Sequence, residues 1–156
     1  MGLSVDDIVA KFPTKTLPII TDEPGYGNIN HMVQLLYGNA VALPTTLGGG
    51  QHGHIGLIMT PLLYTTLSPT PYVAPNDPGT SPPVLPNNAT VGRRETTRLD
   101  HKEALRIFQN NNTMDDVLKT QIIDSIHDPY ICEMRNKYTG YLGVTTRDLI
   151  DHLLDR

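Results

Sequence analysis

The chain has 156 residues, with 12 Lys+Arg against 16 Asp+Glu and a formal net charge of −4. That length fits one domain or two small lobes, and the mild acidity argues against a dedicated nucleic-acid binder, which shows a basic patch or stripe. A single cysteine, Cys132, excludes an intrachain disulfide and any multi-cysteine zinc module. No apolar run approaches the ~20 residues that cross a bilayer. Residues 1–10 carry Asp6 and Asp7 but no positive n-region of a signal peptide. The expectation is a soluble, cytoplasmic protein without membrane contact.

Composition divides the chain after Gly92. Residues 1–92 hold 12 of the 13 prolines and 11 of the 13 glycines but only 7 of the 28 charges. The first part is therefore expected to be loop-rich with short elements, and residues 93–156 to be dense helix. No internal repeat of fixed period is visible. Ser4, with Asp7 three residues on, forms a capping pattern for a short helix. Its buried face would carry Val5, Ile8, Val9 and Phe12, and Pro13 ends it. A second helix is expected from Asn28, with Ile29, Met32, Val33, Leu36 and Ala40 at helical spacing and Pro44 as its stop. Five glycines between Gly48 and Gly56 require a bent backbone with positive φ angles or close backbone contacts. Thr60 and Pro61 read as the cap and first residue of a short apolar helix with Leu62, Leu63, Tyr64 and Leu67. Seven prolines in residues 68–86 predict an extended, exposed loop.

The second part predicts a charged helix from about Thr90 to Asn110, with His101, Ala104, Leu105 and Phe108 on its inner face. Asn110-Asn111-Asn112 is expected to break it. Thr113, with Asp116, would cap the next helix, whose buried stripe is Met114, Val117, Leu118, Gln121, Ile122 and Ile126. Asp128-Pro129 opens a further helix with Tyr130, Ile131, Met134 and Tyr138 on one face, and Gly140 stops it. Thr145 with Asp148 repeats the capping pattern for a last helix that packs Leu149, Ile150, Leu153 and Leu154 inward. That helix is expected to run unfinished to Arg156, as in a fragment or truncated reading frame.

Several motifs invite chemical readings. A Walker loop needs a lysine followed by Ser or Thr after its last glycine. Gln51 and His54 follow Gly50 and Gly53 instead, so a tight turn packed against a helix is expected. His52 and His54 would share one face of a strand and could share a metal. A third ligand is required, and nothing in the sequence brings His31, His101 or a carboxylate to them, so imidazoles bonded to the glycine-rich backbone are expected. Cys132 is expected to be a buried thiol on a helix, with His127 poorly placed to activate it. Asp115-Asp116 falls in the first turn of the expected Thr113 helix, where acids suit the helix dipole, and no acid/base dyad is read. Arg93, Arg94, Arg98 and Lys102 interleave with Glu95, Asp100 and Glu103 as a solvated helix face. The sequons at Asn88 and Asn111 lack a secretory signal to use them, and Asp6 stands where a myristoylation pattern wants Ser or Thr. No catalytic, cofactor-binding or metal-ligating residue is assigned. No enzyme is expected, because no nucleophile, base and orienter can be named together.

The glycine–histidine segment Leu47–Leu57 is followed by Tyr64, Pro75-Asn76-Asp77-Pro78-Gly79 and Glu103-Ala104-Leu105-Arg106-Ile107-Phe108. Then come Lys119-Thr120-Gln121-Ile122-Ile123, Gly140-Tyr141, Val144-Thr145-Thr146 and Leu149-Ile150-Asp151-His152-Leu153-Leu154. This series resembles the amino-terminal part of the Gag-like region of copia-type LTR retrotransposon polyproteins, from about Phe12 to Leu154. The glycine–histidine segment is its most specific part. The resemblance implies an all-α, capsid-lobe-like single domain over residues 1–156, with about six or seven helices and an irregular first half. It implies a structural role in virus-like particles, self-association through helix faces, and neither cofactor nor small-molecule substrate. Element RNA would be bound only through a downstream region that this chain lacks. Asp124-Ser125-Ile126 is not the Asp-Thr/Ser-Gly of the element protease. The alternative is a host-adopted Gag-derived protein-binding or adaptor module without assembly, presenting an interhelical groove or the loop 68–86 to a partner. An enzyme using His52, His54 or Cys132 ranks last.

Overall fold

Five α-helices and four short 3-10 turns make up the regular structure of the computed structural model, which describes residues 2–155. The helices are α1 (Val5–Val9), α2 (Tyr26–Val41), α3 (Pro61–Tyr64), α4 (Val91–Ser125) and α5 (Thr146–Leu154). The 3-10 turns are Leu47–Gly49, Ile55–Leu57, Asp128–Tyr130 and Cys132–Met134. Among the described residues no strand forms, only isolated bridges from Ile20 to Ile126 and from Asn136 to Gly140. The class is all-α.

The caps expected at Ser4, Thr60 and Thr145 form, whereas Thr113 lies inside a longer helix and Asp128 caps none. Ser4 and Asp7 close a capping box on α1, and Thr145 and Asp148 close one on α5. Thr60 Oγ1 accepts from Leu63 N at 3.2 Å, with Pro61 at the first position of α3. α2 starts two residues before the expected Asn28, because Asn28 Oδ1 reaches back to accept from Gly25 N at 3.2 Å. α5 closes at Leu154, where Asp155 N donates to Asp151 O, and the expected continuation to Arg156 falls outside the described residues. Met1 and Arg156 lie outside the described residues.

Two of the expected helices are not separate elements. α4 runs unbroken through Asn110-Asn111-Asn112. Asn110 and Asn111 are only 2% and 4% exposed. Asn110 Oδ1 accepts from Leu3 N at 2.8 Å, and Asn111 Oδ1 accepts from the Tyr72 hydroxyl at 2.5 Å. These long-range bonds occupy the oxygens through which Asn otherwise competes with the helical backbone. The segment after Asp128 forms 3-10 turns rather than a helix. Asn136 Oδ1 then accepts from the backbone N–H of both Tyr138 and Thr139, a tight turn that leaves Tyr138 86% exposed.

The core lies where α1, α2 and α5 pack on the carboxyl-terminal part of α4. Ile8, Met32, Leu36, Leu118, Ile122, Leu149 and Ile150 are at most 2% exposed there. A buried polar link runs through it. Asn39 Nδ2 donates to Gln121 Oε1 at 2.9 Å and to Thr14 O at 2.8 Å, joining α2, α4 and the connection between α1 and α2. α4 buries no apolar side chain before Met114. Contrary to the expected inner face, Leu105 and Phe108 are half-buried and Ala104 is exposed. Nine of the ten residues from Val91 to Asp100 are exposed, so this end of α4 is an arm beyond the core.

Candidate functional site

The glycine–histidine turn is built by close approach. Gly53 has φ +54°, and a Cβ there would lie 2.7 Å from Val41 Cα and 2.8 Å from Ala40 O. Gly48, at φ +62°, offers its carbonyl to the Tyr64 hydroxyl at 2.7 Å and to Ser68 Oγ at 3.1 Å. The turn is thus packed on the end of α2, as its composition predicts. His54 is fully buried, with Nδ1 2.8 Å from Leu43 O. A carbonyl only accepts, so Nδ1 carries the hydrogen. Nε2 is then a buried lone pair, with no hydrogen-bond partner among the described residues. Burial holds the His54 pKa below the usual histidine value, against the smaller upward pull of the Leu43 carbonyl. His52 Nε2 lies 3.2 Å from Leu67 O, with its ring edge-on to Tyr64. Both imidazoles do bond backbone, but the carbonyls belong to Leu43 and Leu67 rather than to the glycines.

The other candidates are dispersed. His31 is exposed on α2. His101, on α4, pairs through Nε2 with Gly79 O at 2.8 Å. Among the described residues no three His, Cys, Asp or Glu side chains are grouped to hold a metal. Cys132 is half-buried in a 3-10 turn, not buried on a helix, and its Sγ lies 3.8 Å from Pro129 O. Asn111 of the second sequon is buried under Tyr72.

A cleft of about 330 Å³ adjoins the turn, with Tyr72, Asn111, Asp115 and Arg147 in its walls. The Tyr72 ring covers Gly56, where any Cβ would collide with it. Burial, reinforced by Tyr64 and Asp115, pushes the Tyr72 phenol well above its ordinary pKa. Asp115 lies in the middle of α4, not in a first turn. Its Oδ1 accepts from Thr146 N at 3.2 Å, and its carbonyl accepts from Thr146 Oγ1 at 2.9 Å. Burial, with the neighbouring Asp116, raises the carboxyl pKa against the downward pull of the Thr146 hydrogen bonds and Lys119. Arg147 Nη1 donates to Ile58 O at 2.7 Å, and Nη2 bonds Asp151. The polar groups here stitch the proline-rich segment 68–86, a strap across the surface, together with the turn and α5 onto α4. The only advance sign of this cleft was Tyr72 itself, a lone ring among prolines.

The proline-rich strap carries one charge, Asp77, and is tied to the highly charged α4 arm. Arg94 donates to the carbonyls of Pro86, Asn87 and Ala89, and His101 holds Gly79, so the expected extended loop is tied down at intervals. It remains exposed between the ties, with Val84 at 99%. The arm is the solvated charged face its sequence predicts. Arg98 pairs with Glu95, and Arg106 with Glu103, at exposed sites. These hydrogen bonds hold both glutamates below the ordinary carboxylate pKa. At α3, Leu62, Leu63 and Leu67 are 80%, 43% and 41% exposed. No described helix is long and apolar enough to cross a membrane. No protein-family model, curated protein or solved structure matches the chain.

Proposed function

We propose that the chain is a self-associating structural module, a capsid-lobe-like unit of the kind the Gag-like resemblance implies, and that it acts by assembly rather than catalysis. The observation that carries this reading is the apolar surface at α3. Three leucines within six residues face solvent, while the Thr60 cap and the buried Tyr64 hold their backbone in place. Fully burying one leucine side chain contributes about 1.5–3 kcal/mol. A patch this small supports only a weak contact, but a contact repeated by symmetry holds a shell. Light scattering coupled to size exclusion over a wide concentration range tests the reading. Mass is expected to rise with concentration, and Leu62→Glu is expected to move the rise to at least tenfold higher concentration. A monomer at every concentration overturns it. That result is instead the one expected of a host-adopted adaptor module without assembly, a reading that the tethered, exposed strap around Val84 favours.

A further inference from the structure

We infer that the outer face of the α4 arm docks head to tail into the cleft that holds Asp116 and Asp124, between α1 and the carboxyl-terminal half of α4, on a second copy of this chain. The inference rests on the self-association proposed above and assigns it a second surface. Residues 91–106 hold five of the twelve Lys+Arg but three of the sixteen Asp+Glu, which leaves seven cations against thirteen anions elsewhere. The protein is therefore a basic arm on an acidic body. Val91, Glu95, Arg98, Leu99, Lys102 and Arg106 recur at helical spacing on the side of the arm away from the strap. Val91 is 85% and Leu99 48% exposed. The complementary cleft, of about 210 Å³, has Val5 and Val9 on one wall and Asp116 and Asp124 on the other. Lys15 also lines it, and Lys119 lies 3.5 Å from Asp116, so two cations stand beside its two carboxylates and the contact rests on pairing of individual groups and on the opposite charge of arm and body. Asp116 and Asp124 are eight residues apart, as are Arg98 and Arg106, which puts both pairs about 12 Å apart along their helices. The arm's own ion pairs with Glu95 and Glu103 are exposed and weak enough to exchange partners. Arm and cleft belong to one continuous helix, so no chain can fill its own cleft. The contact joins unlike surfaces and propagates from copy to copy.

Light scattering at low and high salt tests this on the full chain with two charge reversals. One is Arg98→Glu with Lys102→Glu and Arg106→Glu. The other is Asp116→Lys with Asp124→Lys. Each alone is expected to need at least tenfold more protein to associate, and an equimolar mixture is expected to regain association, which misfolded variants could not do. Salt is expected to weaken the wild-type contact. If the wild type associates and either reversal leaves it unchanged, or the mixture stays separate, this docking mode is overturned while the α3-based reading stands. If the wild type is monomeric throughout, both fall. Full competition by an equimolar lysine decapeptide would overturn the second copy as occupant in favour of a generic polycation.

Discussion

Gly53 and Gly50 have similar backbone angles, φ +54° and +79°, but unlike surroundings. A side chain at Gly53 meets the backbone of Val41, Ala40 and Leu43, whereas the nearest atom to a Cβ at Gly50 is 3.7 Å away. Gly50→Ala is expected to cost about 1–2 kcal/mol, the left-handed penalty alone. Gly53→Ala should cost more, and equal shifts in a urea unfolding midpoint would refute the packing argument. His54 makes a pH prediction of definite sign. Its folded pKa lies below the unfolded value of 6.5. Above pH 6.5 the ring is neutral in both states. As pH falls below that, the unfolded chain takes up a proton that the folded one refuses, so stability drops by at most about 1.4 kcal/mol per unit. The loss is complete once the folded pKa is passed. Asp115 works the other way. Its folded pKa is raised above 3.8, so stability gains as pH falls through that window. Urea titrations from pH 7.5 to 4 on wild type and His54→Asn check the first claim, and the variant is expected to lose the slope that begins near 6.5. Five glycines announced a bent turn, but that His54 lies inside it, rather than on it, depends on Leu43 offering a carbonyl from another segment.

At the scale of elements, α4 is where reading and structure part. The three asparagines look like a break because Asn competes locally with the backbone. Two of them serve segments far away in sequence, Leu3 and Tyr72, and a local pattern carries no sign of that. Alanine substitutions separate the two roles. Asn110→Ala is expected to destabilise by about 1 kcal/mol, because Leu3 N loses its acceptor. The exposed Asn112→Ala should be neutral or stabilising by up to about 0.5 kcal/mol, since alanine is the better helix former. Thermal unfolding of both variants decides it, because a true break at this point would make both stabilising. Capping patterns were legible at Ser4, Thr60 and Thr145, where the partner lies three residues away, but the same spacing at Thr113 and Asp116 misleads, because both sit inside α4. The expected helix after Asp128 failed because Asn136 draws the chain into a turn, and spacing of apolar residues alone does not reveal that.

For the whole molecule, the composition boundary at Gly92 falls at the start of α4, but it does not mark the edge of the core. The core joins α1 and α2 from one side of that boundary to α5 and the latter part of α4 from the other. Stability should therefore be graded along a single helix. Amide hydrogen exchange is expected to be slowest over residues 114–125 and markedly faster over 91–100, where few apolar contacts resist local opening. Uniform protection along α4 would contradict this. The continuity of α4 has a mechanical consequence as well. α5 is fastened to it at Asp115, and Val91 lies 24 residues away in the same unbroken rod. With a rise of about 1.5 Å per residue, a tilt of about 5° at the fastening sweeps the far tip by roughly 3 Å. The helix is a lever with its fulcrum in the core, and a small reseating of α5 is magnified into a change in where the arm points.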